Sequence, residues 1–355
     1  MSGGDLKKSM IENYALRVAS RVAVVLVLTV MAVSRAGAAP HNGVRITDNL
    51  YGARFVDADN GWTVGAFGTI FRTRDGGKTW RPQVSHTTEL LFSVDFADAR
   101  HGWITGRSGL ILHTSDGGDT WQTQHSGTDR HLFDLKAIDQ QHVWAVGDWG
   151  TVMATRDGGT TWENHSLERD VILNAQSWAD PDHGWIVGEA GAIVATGDGG
   201  KTWNEQPSGI EKSLFGVYFS DIHQGWAVGL DGIILRTVDG GQTWKAQQGS
   251  TEVGALEQVG FQEALGNPSL YDVKVSGKYG YVVGDIGAVL VSEDGGATWQ
   301  RKDMPAEWRL RWIRSVSLVN GTHGALVGAN GLTLRIVGNE VKMPEVEEHA
   351  LEATH

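Results

Sequence analysis

The chain has 355 residues, with 48 glycines, 15 tryptophans, no cysteine and a formal charge of −12. The lack of cysteine excludes disulfides, thiolate metal sites, cysteine nucleophiles and a lipidated cysteine anchor. The acidity disfavours nucleic acid as a partner, and the glycine and tryptophan content points to short strands joined by tight turns.

In chain order, Lys7, Lys8, Arg17 and Arg21 lead into an apolar run over residues 22–33, followed by the small-residue site Ala36-Gly37-Ala38. That order is the order of a secretory signal peptide. The run has 12 residues, short of the about 20 that cross a bilayer as a helix. Cleavage after Ala38 is the expectation, and an uncleaved amino-terminal anchor is the alternative. Either way the protein is expected to be exported, to the periplasm or the extracytoplasmic side of the membrane. The chain after residue 38 holds 25 Lys and Arg against 40 Asp and Glu, a charge of −15.

From residue 50 the chain repeats. Asp75, Asp116, Asp157, Asp198 and Asp239 follow one another at 41 residues, and Asp294 follows at 55. Each sits in the pattern [ST]-x-D-G-G-x-T-W, which ends at Trp80, Trp121, Trp162, Trp203, Trp244 and Trp299. A second pattern, an aromatic residue three positions before a glycine, recurs from Trp62/Gly65 to Tyr281/Gly284. A seventh copy, Ala325/Gly328, has lost the aromatic residue and the acidic turn. Within one unit LFSVDF, HGWITG, LILHTS and TWQTQHS read as four strands. Four short strands per repeat of about 40–45 residues predict a β-propeller blade. The fold class is therefore all-β, a seven-bladed β-propeller with four-stranded antiparallel blades over residues 39–337. The last blade looks short of a fourth strand, and residues 43–48 (GVRITD) are expected to supply it and lock the ring. Residues 338–355 read as a loose acidic tail.

The acidic turn resembles the Asp-box, or bacterial neuraminidase repeat. With the G-W-x-V-G strand and the 41-residue period, the chain resembles the photosystem II stability/assembly factor family. That resemblance implies an exported seven-bladed propeller that binds a membrane protein, or its extracytoplasmic segment, through an arginine-rich patch. The box itself reads as structure. A catalytic residue is needed once, whereas a turn that staples a blade is needed in every blade. A calcium loop is the weaker reading, since each turn offers one carboxylate and calcium takes six to eight oxygens. The recurring His101, His142 and His183 are spaced by the repeat and cannot share a metal. No cofactor or metal is expected.

Binding residues are expected in the loops between the second and third strands and between blades. Every unit has G-x-x-G in the first of these loops, with variable centres that include Arg107, Asp148-Trp149, Glu189, Asp231 and Asp285. Two irregularities break the period. One is an insertion within residues 249–269, whose stretch 252–265 is expected to form a short amphipathic helix. The other is the segment 301–315, with Arg301, Lys302, Arg309, Arg311 and Arg314 interleaved with Trp308 and Trp312. Arginine and tryptophan dominate binding energy at interfaces. These residues, with Arg107 and Trp149, are the candidate partner-binding set of a monomeric, non-catalytic scaffold. The competing class is a glycoside hydrolase, because Asp-box propellers include sialidases and xyloglucan-cleaving enzymes. Two carboxylates are then needed, and the pairs Asp148 with Glu189 and Asp231 with Asp285 are the candidates.

Overall fold

Each sequence repeat folds as one four-stranded antiparallel sheet. The computed structural model describes residues 46–248 and 267–342. The expected leader at 1–38, the insertion's expected helix and residues 343–355 lie outside the described residues. In the first blade the strands are β1 (Leu50–Phe55), β2 (Gly61–Gly65), β3 (Ile70–Thr73) and β4 (Arg81–Gln83). Six more such sheets follow in strict sequence order, ending with β25 (Ile313–Val319), β26 (His323–Gly328), β27 (Thr333–Val337) and β28 (Glu340–Lys342). The first strand of each blade lies innermost. The set is β1, β5 (Leu91–Phe96), β9 (Leu132–Ala137), β13 (Leu173–Trp178), β17 (Leu214–Phe219), β21 (Leu270–Ser276) and β25. Each touches the next, and β25 touches β1, so the ring is closed.

The core lies between blades. Trp62, Val64 and Ile70 of blade 1 pack with Leu91, Phe96, Ile104 and Trp121 of blade 2. The second strands, GWTVG and its copies, are buried at all five positions in blades 1 to 5. A strand covered on both faces reads as a continuous apolar run instead of an alternating one.

The Asp-box joins the third and fourth strands, as the sequence predicts. Asp75 accepts the Thr79 N–H at 2.8 Å and the Thr79 hydroxyl at 2.6 Å. The Thr73 hydroxyl donates to Asp75 at 2.8 Å and accepts the Gly77 N–H at 2.8 Å. Gly76 and Gly77 take φ of +70° and +81°, the left-handed region that a side chain disfavours. Hydrogen bonds from Thr202 and Thr196 hold the equivalent Asp198 carboxyl down at about 2. The carboxylate is thus spent on its own turn. The histidines are also local: Nδ1 of His101, His142 and His183 pairs with Asp98, Asp139 and Asp180 of the same turn.

The box also fastens neighbouring blades. The Trp62 indole and the Gln83 amide of blade 1 both donate to the Gly117 carbonyl of blade 2, at 3.0 and 3.3 Å. Trp103 and Gln124 do the same to Gly158, Trp185 and Gln206 to Gly240, and Trp226 and Gln247 to Gly296. At the junction of blades 3 and 4, where His165 stands at the glutamine position, Trp144 stacks on Trp178 with centroids 5.0 Å apart, as Trp62 does on Phe96 and Trp185 on Phe219.

Ring closure differs from the expectation. The fourth strand of blade 7 is β28, paired to β27 from its own hairpin, so blade 7 runs to Lys342 and that position is filled without residues 43–48, of which 43–45 lie outside the described residues and 46–48 form no strand. Residues 46–49 instead form a strap. The Asp48 carbonyl accepts the Gly331 N–H at 2.8 Å, the Asn49 carbonyl accepts the Ala66 N–H at 2.9 Å, and Ile46 is buried between blades 7 and 1. On the opposite side of the seam Arg335 takes the place of the missing tryptophan, donating from Nε to the Gly76 carbonyl at 2.8 Å. Hydrogen bonds from charged donors are worth about 1.5–3 kcal/mol. Arg335→Ala is therefore expected to lower the melting temperature by several degrees, and Arg236→Ala, where Trp226 still holds the junction, by less. Equal shifts in thermal melts would remove Arg335 from its closing role.

Candidate functional site

The loops sort onto two faces. The Asp-box turns meet the turns between first and second strands, as in the Gly76 N–H to Asp59 carbonyl bond at 2.9 Å. The G-x-x-G turns meet the inter-blade loops on the other face, as in the Gly68 N–H to Glu89 carbonyl bond at 2.9 Å. The second of the two variable residues is left-handed in every blade, from Phe67 at φ 56° to Asn330 at φ 54°. This places the side chain at the tip of each turn. The glycine after it is obligatory, since a Cβ on Gly68 would lie 2.0 Å from the Thr87 carbonyl.

The innermost strands bring a feature to this face that the segment-by-segment reading missed. Their second residues are Tyr51, Phe92, Phe133, Asn174, Phe215, Tyr271 and Arg314. The rings form an aromatic collar at the mouth of the central channel. Phe92 meets Phe133 at 5.3 Å and Tyr51 at 6.3 Å, and Phe215 meets Tyr271 at 5.7 Å. The Arg314 guanidinium lies 4.7 Å over the Tyr271 ring. Aligning the repeats on their first strands is the signal that reveals it.

The segment 301–315 runs from the outer edge of blade 6 to this collar, and its residues take different roles. Arg301 is exposed and Lys302 half-buried at the end of β24 (Gln300–Arg301). Trp308 is 8% exposed and packs with Met304 into the core of blades 6 and 7. It anchors the loop and is not an exposed contact, which corrects the expectation for that residue. Arg311 stacks on it at 4.7 Å, and Arg309 donates from Nε to the Met304 carbonyl at 2.9 Å while staying exposed. Trp312 joins the collar, stacked parallel on Tyr51 at 5.7 Å. Leu310, at the tip, is 84% exposed. Arg107 and Trp149 are exposed on blades 2 and 3. They lie outside the 301–315 loop, with blades 7 and 1 between it and Arg107. Arg130 covers the Trp149 ring at 4.7 Å.

Two of the nominated acids, Asp231 and Asp285, have structural partners. Lys212 pairs with Asp231 at 2.7 Å, and the Tyr271 hydroxyl donates to Asp285 at 2.7 Å. Burial raises the Asp285 carboxyl above its usual range, with the Tyr271 bond and Arg314 opposing the rise. Burial likewise raises Asp148, against the pull of His131 and Arg130.

Below the collar the channel is lined with charge. Asp95 is bracketed by Arg54 at 2.7 Å and Lys136 at 2.9 Å, and Lys274 pairs with Asp272 at 3.1 Å. Asp134 accepts the Ser93 hydroxyl at 2.8 Å and the Gln176 N–H at 2.9 Å. Burial pushes Asp134 up to about 6, with Asp272 adding to the rise and Lys274 opposing it from three blades away. A folded value above the unfolded one means the native state holds the proton more tightly. This contribution favours folding below the unfolded value near 4 and is lost as pH rises through about 6. Asp134→Asn is thus expected to gain stability relative to the wild type between pH 4.5 and 7.5. Parallel melting curves across that range would show that Asp134 does not titrate there.

The family described as "Photosynthesis system II assembly factor YCF48" matches residues 38–126, 120–205 and 167–251. None of the curated proteins matches the chain. Among solved structures, a YCF48 bound to D1 peptide is 22% identical with a TM-score of 0.66, over 83% of this chain and 95% of that one. YCF48 from Cyanidioschyzon merolae is 18% identical with a TM-score of 0.65, over 83% of this chain and 98% of that one. The xyloglucanase of family GH74 from Xanthomonas campestris is 12% identical with a TM-score of 0.66, over 86% of this chain but 53% of its own. At these identities the structures share the fold.

Proposed function

From the premise that this chain belongs to the photosystem II assembly factor YCF48 family, we propose that it is an exported, non-catalytic scaffold. It grips a membrane protein, or an extracytoplasmic segment of one, through the loop face. The observation that carries the reading is the stack of Trp312 on Tyr51, which meets Phe92 of the collar, with Arg314 over the Tyr271 ring at the channel mouth and Arg309 exposed on the loop that leads to it. Rigid rings give contact area at low entropic cost, and an arginine at their edge supplies a directed charge. A YCF48 that holds a D1 peptide supports a peptide-sized ligand for such a propeller. The leader-like sequence over residues 1–38 supports export. Of the acids nominated for hydrolysis, Asp231 and Asp285 are engaged with Lys212 and Tyr271, which weighs against that pair as a glycosidase dyad.

The test is capture from detergent-solubilised membranes of the source organism, with wild type and an Arg309→Glu/Arg314→Glu variant side by side. Hot-spot residues cost upwards of 1–2 kcal/mol when lost, so the client is expected to drop about tenfold with the melting curve unchanged. Equal capture by the variant would overturn the loop-face assignment. Enrichment of soluble proteins alone would overturn the membrane-protein client.

A further inference from the structure

Equivalent positions of the innermost strands share one level of the channel. The fifth residues of the seven strands are three cations, Arg54, Lys136 and Lys274, one acid, Asp95, and three hydroxyl residues. The third residues include two acids, Asp134 and Asp272, and no cation. The cations meet across the lumen. Arg54 and Lys136 hold the two oxygens of the same Asp95, and Lys274 lies 5.5 Å over the Tyr218 ring. Burial depresses the Lys136 ammonium, Asp95 opposes this, and Arg54 and Lys274 add to the depression. Lys136 thus feels both other cations. The side chains of Arg54, Lys136 and Lys274 are 35, 28 and 31% exposed, so there is room for solvent beside each of them.

Hydrogen bonding separates the acids from the cations. A carboxylate has about four acceptor sites. Asp95 has them filled, by Arg54 at 2.7 Å and the Phe96 N–H at 2.9 Å on one oxygen, and by Lys136 at 2.9 Å and the Ala137 N–H at 3.1 Å on the other. Asp272 has them filled by the Val273 N–H, Lys274, the Ser315 hydroxyl and the Val316 N–H. The cations keep spare donors. An ammonium carries three N–H groups and a guanidinium five, and each of the three cations gives one contact to a carboxylate. Asp134 is the remaining acid. Ser93 and the Gln176 N–H give it one bond each, and Lys274 and Asp272 face it across the lumen. Burial pushes it up to about 6. With Asp134 protonated, three cations stand against two saturated acids.

We propose that the channel binds a small oxyanion at the level of Arg54, Lys136 and Lys274. The ligand supplies the acceptors that Asp95 and Asp272 no longer offer. A cation would need lone pairs that those two carboxylates have already filled, and an apolar guest would strip water from three charges. An oxyanion instead takes charge-assisted bonds from the spare N–H groups. The site lies below the collar, apart from the loop-face contacts, and is independent of what the client is.

Inorganic sulfate is the probe, since it stays a dianion at every pH used. Equilibrium dialysis of the whole protein against radiolabelled sulfate, at constant ionic strength in chloride, reads binding directly. Saturable binding of one sulfate per chain is expected. Arg54→Gln is expected to weaken it about tenfold or more, as loss of a charged donor does. Lys201→Gln, at an exposed lysine of the Asp-box face, is expected to leave it unchanged. Asp134→Asn is expected to tighten it severalfold at pH 7.5, where the wild-type carboxylate is charged, and a gain of binding cannot come from misfolding. A crystal soaked in selenate should show the anomalous peak of the anion between the three cations. The oxyanion has two sources, a free ion or a carboxylate carried in on a peptide. Acetyl-triglycine and its amide separate them: displacement of sulfate by the acid alone points to a peptide carboxylate, and no displacement by either points to the free ion. No saturable sulfate binding, equal binding by Arg54→Gln, or unchanged binding by Asp134→Asn would overturn the proposal.

Discussion

A carbonyl oxygen on each Asp-box turn is the point to which the preceding blade is tied. The box holds that carbonyl in place by consuming its own aspartate and threonine hydrogen bonds. A tryptophan from the second strand and a glutamine from the fourth strand of the previous blade then converge on it. Both donors are substantially removed from water, so leaving either unmade would cost more than the bond itself gains. This one contact sets blade spacing, keeps the box carboxylate from any other task and confines the repeated residues to one face.

Three junctions depart from this contact. Where blade 6 meets blade 7 there is no box to receive it, and the Tyr281 ring at the tryptophan position packs into the core of the two blades. Where blade 3 meets blade 4, His165 stands at the glutamine position, and a stack of Trp144, Trp178 and Trp203 fills the junction. Where blade 7 meets blade 1, Ala325 stands at the tryptophan position, and Arg335 crosses the seam to the same kind of carbonyl. On the opposite face the strap from residue 46 to residue 49 closes the seam a second time. The ring is thus locked by a side chain on one face and by backbone on the other, while the fourth strand of blade 7 comes from its own hairpin.

With one face committed to fastening, the other is free to vary. Its turns need only a left-handed residue followed by glycine, and that left-handed position takes residues as different as Phe67, Ser108, Trp149 and Asp231. Recognition chemistry can change there without touching the core. The collar is coupled to that face through Trp312 and Tyr51. It sits above a charged channel in which Asp95 is held by cations of the two neighbouring blades and Asp272 by Lys274 of its own strand.

The sequence by itself determined the number of blades, the strand order and the role of the box, because a 41-residue period with a constant turn leaves one packing solution. It also singled out segment 301–315 as the place where the period breaks. It could not say that Trp308 faces inward while Leu310 faces outward, since both sit in one irregular loop without alternation to read. Nor could it show the collar, because its residues lie one per blade and become neighbours only when the ring closes. The hairpin of β28 is a different case: it is local, with a two-residue Gly338-Asn339 turn that sets Val337 opposite Glu340, and it escapes the repeat pattern because no glycine-glycine box marks it. Periodicity is a local property and was legible in the text. Convergence at the axis and at the seam depends on contacts between residues up to 281 positions apart, and only the closed ring decides those.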